Sequence, residues 1–168
     1  ADSGRFIKGR LYGRGKINFI NGDFYEGMFK DGKRCGKGKM QYKSIKRFHD
    51  LDNSLNTTPG REPDLDWAFY EGDWNDNCKH GYGVMKWSDE SVFKGQWLKD
   101  ERHYGTMYMI TGTEYTGYFK NDRFHGKGKL KMDDGLIYEG EFINGLRQKY
   151  GKLLYPDGSV YTGELEDF

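Results

Sequence analysis

After Gly128 the chain alternates: Lys129 and Lys131 are charged, Leu130 and Met132 apolar, the two-residue period of a strand with one buried face. The alternation runs into Asp133-Asp134-Gly135, read as a three-residue hairpin loop with glycine in the left-handed position. It resumes in a strand carrying the phrase Tyr138-Glu139-Gly140-Glu141-Phe142. The rule aromatic-x-Gly-x-aromatic returns from Tyr25, Tyr70, Phe93 and Tyr115, and from Tyr161 with Leu165 in the last place. The starts at 70, 93, 115, 138 and 161 lie 23, 22, 23 and 23 residues apart, which predicts a stacked repeat array rather than a mixed globular domain. One period before Tyr25, Asp2-Ser3-Gly4-Arg5-Phe6 keeps the glycine and the final aromatic. The array thus holds about seven repeats, starting near 2, 25, 70, 93, 115, 138 and 161, the first and last atypical.

Each phrase is followed by a polar turn, such as Lys30-Asp31-Gly32-Lys33, and then by a second glycine signature. This reads Tyr12-Gly13-Arg14-Gly15, Cys35-Gly36-Lys37-Gly38, His80-Gly81-Tyr82-Gly83 and His125-Gly126-Lys127-Gly128; two repeats keep only Gly105 and Gly151. A three-residue loop fixes the register across the next hairpin, so that Met132 faces Leu136, Leu130 faces Tyr138 and Gly128 faces Gly140. The same arithmetic pairs Gly15 with Gly27, Gly83 with Gly95, Gly105 with Gly117, and Gly151 with Gly163. Mid-strand glycine costs roughly 0.5–1 kcal/mol against alanine, so a repeated pair predicts a row of notches filled by rings. The opposite face sets Lys16 beside Glu26 and Lys129 beside Glu139.

From Tyr25 to Tyr70 the interval is 45 residues, which places an insertion at about 44–67, in a hairpin loop. Its composition reads as a surface loop. Phe48, Leu51, Leu55 and Trp67 are the side chains in it that would anchor a partner.

Composition changes the picture in one respect: hydrophobic residues are 35% of the chain, low for a compact core, while aromatics reach 17% and glycines number 25 in 168 residues. Rings must therefore supply the buried area. Lysine and arginine (27) nearly cancel aspartate and glutamate (26), so no global field selects nucleic acid or an anionic membrane. Cys35 and Cys78 sit at different repeat phases, which favours a reduced, cytoplasmic setting over a framework disulfide. No apolar run approaches 18 residues. His80 and His125 occupy the phase that holds Tyr12 and Cys35 elsewhere, so repeat pattern explains them. The Gly-Lys-Gly-Lys stretches at 36–39 and 126–129 enter strands, not the helix that a phosphate cradle requires. No catalytic, cofactor-binding or metal-binding residue is expected, and no enzymatic activity.

The paired phrases Tyr138-Glu139-Gly140-Glu141-Phe142 and His125-Gly126-Lys127-Gly128, repeated in register, resemble the MORN (membrane occupation and recognition nexus) repeat family. The resemblance implies an all-β, elongated, twisted, antiparallel single-layer sheet of stacked hairpins with an aromatic groove on one face. It also implies a non-catalytic scaffold in a cytoskeletal or membrane-apposed assembly. A single layer covers only part of its ring face, so Tyr70, Trp74, Trp87, Phe93, Trp97, Tyr115, Phe119, Tyr138 and Phe142 are the candidate groove for a peptide or helix of a protein partner. Lys37, Lys39, Lys127, Lys129 and Lys131 are the candidate basic face for an acidic phospholipid surface, the alternative reading. The last repeat is followed by no further strand, so Tyr155, Tyr161, Leu165 and Phe168 are candidates for a homodimer contact. A third reading makes the array the non-catalytic arm of a larger enzyme, such as a methyltransferase or lipid kinase.

Overall fold

The computed structural model describes residues 3–43 and 68–165, and these residues form one antiparallel sheet. Its thirteen strands follow in chain order: β1 (Ser3–Ile7), β2 (Arg10–Asn18), β3 (Phe24–Lys30), β4 (Lys33–Tyr42), β5 (Ala68–Asn75), β6 (Cys78–Trp87), β7 (Val92–Leu98), β8 (Glu101–Tyr108), β9 (Glu114–Lys120), β10 (Arg123–Lys131), β11 (Ile137–Ile143), β12 (Leu146–Leu154) and β13 (Val160–Glu164). Every strand pairs only with its sequence neighbours, leaving β1 and β13 at opposite edges of an open sheet. At about 4.8 Å per strand the sheet runs on the order of 55–60 Å from edge to edge.

Two kinds of turn alternate along the array. At one end of the strands Asp31-Gly32, Asp76-Asn77, Lys99-Asp100, Asn121-Asp122 and Asn144-Gly145 take positive φ at both residues, the type I′ geometry that matches strand twist. At the other end the loops have three residues, closed by bonds such as Met132 N–H to Leu136 O at 2.8 Å and Gly135 N–H to Met132 O at 3.0 Å. Glu90 stands where the other loops place glycine, and it takes the same left-handed conformation at φ 71. The loop survives because Asp89 accepts from both the amide (3.1 Å) and hydroxyl (2.6 Å) of Ser91, and Lys86 pairs with Glu90 at 3.0 Å. The insertion begins where such a loop belongs, after Tyr42 pairs with Ala68; residues 44–67 lie outside the described residues.

All five expected glycine pairs are present. The ladder goes further, because each remaining strand also sets its glycine opposite the next, from Gly4 to Gly163 across the sheet. The filler of the notch is the first aromatic of the phrase from β3 onward, while Leu11 fills it at Gly4 and Gly15. Tyr115 lies over its own Gly117 and over Gly128 on the following strand, and a methyl on Gly128 would stand 2.6 Å from Cε2 and Oη of that ring. Tyr25, Tyr70, Phe93 and Tyr138 cover the equivalent pairs.

The 22-residue step has a local cause. In the other hairpins of this kind the register slips by two residues beside the second signature, as where Gly72 pairs Gly83 and Trp74 then pairs Lys79. In β8, Gln96 pairs Tyr104 and Trp97 then pairs Arg102, a slip of one. The missing residue is the first glycine of Gly-x-Gly, which bulges at positive φ in Gly81 and Gly126.

Candidate partner-binding face

Alternation divides each strand between two faces, and the faces have opposite chemistry. On the inner face one cross-strand row reads Ile17, Tyr25, Met40, Tyr70, Met85, Phe93, Met107, Tyr115, Leu130, Tyr138, Leu153, Tyr161, an aromatic facing an aliphatic or methionine throughout. The second aromatic of each phrase locks this row. Tyr25 meets Trp74 at 5.3 Å, Tyr70 meets Trp97 at 5.3 Å, Phe93 meets Phe119 at 5.2 Å and Tyr115 meets Phe142 at 5.0 Å, all near-perpendicular. Within each strand Tyr70–Trp74, Phe93–Trp97, Tyr115–Phe119 and Tyr138–Phe142 repeat the edge contact. Each such pair contributes roughly 0.5–1.5 kcal/mol beyond its buried area.

Polar tips on these rings are satisfied by backbone. Tyr70 Oη donates to Asp73 O at 2.9 Å, Tyr115 to Tyr118 O at 2.9 Å and Tyr138 to Glu141 O at 3.1 Å, while the indoles of Trp74 and Trp97 donate to Gly38 O and Gly83 O. Burial pushes the Tyr115 phenol up to about 12 and raises Tyr25, Tyr70 and Tyr138 in the same direction. Phe93 lacks the hydroxyl and makes no such bond.

The rings are more deeply covered than a bare sheet face permits. Of the nine candidate groove residues, Tyr70, Trp74, Phe93, Trp97, Tyr115, Phe119, Tyr138 and Phe142 are buried, four of them with no exposed surface; Trp87 alone is half-buried. Their cover is a periodic row of cations one residue beyond the start of the even strands. Arg34 lies over Trp74 at 4.5 Å and reaches Phe19 at 5.8 Å. Lys79 lies over Trp97 at 4.6 Å and reaches Tyr42 at 5.8 Å, and Arg102 lies over Phe119 at 4.8 Å and reaches Trp87 at 5.7 Å. Arg147 sits 5.6 Å from Tyr138. In β10 the position holds Phe124, stacked on Tyr115 at 3.8 Å and 11°. These side chains roof the core with their stems and planar heads.

Each clasp also ties one repeat to the next. Arg34 donates to the side-chain and main-chain oxygens of Asn77, and Arg102 to those of Asp122 at 3.0 Å each. Asp100 accepts from the Lys79 amide at 2.8 Å. Burial lowers the Lys79 ammonium below its ordinary value, against an opposing pull from Asp100. The inner-face surface left open is thus a strip of half-buried Phe19, Tyr42, Trp87, Phe124 and these cations. Sequence reasoning missed all but Trp87. The available signal was the phase, since Leu11, Arg34, Lys79, Arg102, Phe124 and Arg147 recur at one place of the repeat.

The outer face is charged and self-paired. Its row runs Lys16, Glu26, Lys39, Glu71 across β2 to β5 and Lys129, Glu139, Lys152 across β10 to β12. Of the candidate basic residues, Lys37 pairs with Asp73 at 2.7 Å, Lys39 with Glu71 at 3.5 Å, Lys129 with Glu139 at 3.1 Å and Lys131 with Glu114 at 3.8 Å; Lys127 is exposed. Beside this ladder Tyr82, Tyr104 and Tyr118 stand exposed, Tyr104 and Tyr118 4.8 Å apart. His125 turns a buried Nδ1 without a hydrogen-bond partner among the described residues. At the last repeat Tyr155 and Tyr161 are exposed and Leu165 packs on the core; Phe168 lies outside the described residues.

A single sheet of repeated hairpins, with ring phrases on one face and a charge ladder on the other, defines a β-hairpin repeat protein. The MORN repeat profile matches residues 25–44, 70–92, 115–137 and 138–160, and the chain belongs to the MORN-repeat family. The repeat from Phe93, with its missing bulge residue, falls between the matches. Alsin of mouse and of human are each 31% identical over 139 residues, covering 74% of this chain and 8% of alsin. MORN repeat-containing protein 3 of Xenopus laevis is 33% identical over 67 residues, covering 35% of this chain and 28% of that protein. The chain therefore spans a small part of the length of these relatives.

Proposed function

We propose that this chain is a non-catalytic docking scaffold that holds a protein segment along its inner face, within a cytoskeletal or membrane-apposed assembly of the cytoplasm. The observation that carries this reading is the strip of half-buried aromatics and roofing cations running from Phe19 to Phe124. Rigid rings with little entropy to lose, set beside cations, are what anchors a peptide or helix. The acid partners of Lys37, Lys39, Lys129 and Lys131 offset the outer-face field, which favours a protein segment over acidic phospholipid.

A photo-crosslinking residue at Trp87 or Tyr42, compared with one at outer-face Tyr104, tests the reading. Adducts from the inner positions and not from position 104 are expected; the same adducts from both faces would overturn it. Trp74→Ala and Trp97→Ala are unsuitable probes, because both rings are core. Exposed Tyr155 and Tyr161 support a second proposal, self-association through the C-terminal repeats. Light scattering at high micromolar concentration should give a dimer mass that Tyr161→Asp returns to monomer. A constant monomer mass would remove that proposal.

A further inference from the structure

The roofing cations are not equivalent in charge balance, and the difference falls on one stretch of the inner face. Arg102 has a carboxylate clasp, Asp122, within 3.0 Å. In the corresponding turn two clasps earlier the residue is Asn77, so Arg34 is held by neutral oxygens, at 2.9 Å from the Asn77 carbonyl and 3.4 Å from its amide oxygen. Lys79 forms no ion pair among the described residues. Its ammonium is enclosed by Trp97 at 4.6 Å and by Tyr42 and Tyr70 at 5.8 Å each. Asp76 pairs with Lys33 at 3.0 Å, while Asp100 accepts the Lys79 amide and Asp23 the Lys43 amide at 2.9 Å, and these two carboxylates keep their charge at the margin of the face. The face between β4 and β6 therefore carries two cations, Arg34 and Lys79, that hold no carboxylate in an ion pair among the described residues, walled by Phe19, Tyr42 and Trp97.

Resting on the docking reading above, we infer that the segment bound here is acidic, with carboxylates seated on Arg34 and Lys79. Two forces select that chemistry. The ammonium of Lys79 is already partly desolvated before a partner arrives, so an incoming carboxylate meets a cation some of whose water has been removed by the fold rather than by binding. The rings that enclose it exclude competing solvent, which strengthens a charge-assisted contact relative to the exposed lysines of the outer face. Arg34 and Lys79 sit two strands apart, about 9.6 Å. Glutamates seven residues apart on a helix, on one face and a rise of about 10.5 Å apart, match that step. Beyond Arg102 the row is interrupted by Phe124, which places an apolar contact on the far side of the acidic ones.

A random 16-mer peptide library displayed on phage, selected on the wild-type chain and on Lys79→Met, reads the inference directly. Methionine keeps the stem over Trp97 while removing the charge, and an unchanged melting temperature checks the fold. Wild type should enrich aspartate and glutamate at the spacing given, and Lys79→Met should lose that enrichment while Lys79→Arg keeps it. A selected peptide should bind at least about 10-fold more weakly when its glutamates become glutamines, and that ratio should approach one on Lys79→Met. Carbodiimide coupling of that peptide should place the new amide on Lys79 rather than on Lys39 or Lys129. Selected peptides without acid enrichment, equal enrichment on Lys79→Met, or coupling confined to the outer face would each overturn the inference. Trp87→Ala separates the two readings: if it abolishes selection while Lys79→Met changes nothing, the inner face docks a segment that is not acidic. If wild type selects no peptide at all, both readings fall.

Discussion

The two faces of this sheet are made by the same strands and differ by one residue of phase, yet they solve opposite problems. On the inner face Tyr25, Tyr70, Phe93 and Tyr138 bury their rings over paired glycines beneath a cation from the following strand, and Tyr115 does so beneath Phe124. On the outer face Lys16, Glu26, Lys39 and Glu71 neutralise one another in water. The inner face supplies stability and the outer face supplies solubility and register. A single layer is possible because its second layer is made from its own arginine and lysine stems.

Truncating one ring on each face breaks the comparison most strongly. Tyr70→Ala removes a fully buried ring, its contacts to Trp74 and Trp97, and the bond to Asp73 O, and should cost about 3–5 kcal/mol by urea denaturation. Tyr82→Ala, beside the Gly83 that Tyr70 covers but on the exposed face, should stay within about 0.5 kcal/mol. Comparable losses at both positions would mean that the faces share the stabilising burden.

The glycine ladder can be tested without removing any contact. Gly128→Ala drives a methyl into Tyr115 and toward the facing strand, where overpacking typically costs about 1–3 kcal/mol. Gly145→Ala offers a contrast. No atom lies within 4 Å of the added methyl, and its cost is confined to a backbone at φ 89. A neutral Gly128→Ala would show that the notch is looser than the ring contacts imply.

The phrase spacing and loop length made the repeat, the hairpin register and five of the glycine pairs legible, because each depends on counting residues along one hairpin. The 22-residue step also announced a departure near Phe93, although only the pairing of Gln96 with Tyr104 shows that β8 lost its bulge. The burial of the candidate groove rings was not legible in the same way. It depends on Arg34, Lys79 and Arg102 folding over rings of the neighbouring strands, and a charged residue beside a turn reads as solvated. Phe124 at the same phase was the available clue: a position that accepts arginine, lysine, leucine and phenylalanine is selected for covering surface, not for charge.

Alkali should act on the inner face selectively. Burial raises the Tyr42 phenol to about 12 from its ordinary 10.0. Between pH 9 and pH 11 the unfolded chain releases a proton there that the folded chain retains. Stability present below pH 10 is therefore lost as pH rises toward 12. Tyr42→Phe removes this contribution and should flatten the decline by about 1 kcal/mol between those pH values. Lys79, lowered by burial, acts with the opposite sign as pH rises toward 10.5, and Lys79→Met should steepen the decline. Equal slopes for wild type and Tyr42→Phe would place the Tyr42 hydroxyl in contact with water.

The smallest effect belongs to the outer face. Glu139 bridges Lys129 at 3.1 Å and Lys152 at 3.8 Å across two strands, the densest node of the charge ladder. Exposed pairs contribute roughly 0.2–1 kcal/mol each and are screened within about 10 Å at 0.1 M salt. Glu139→Gln should therefore cost a few tenths to about 1 kcal/mol at low ionic strength, and the difference should vanish near 1 M sodium chloride. The losses at Tyr70 and Gly128 should survive the same salt, because rings and notches carry no charge to screen. A salt-insensitive loss at Glu139 would show that its stem packs on the sheet as the inner-face cations do, and the division of labour between the faces would then be one of degree.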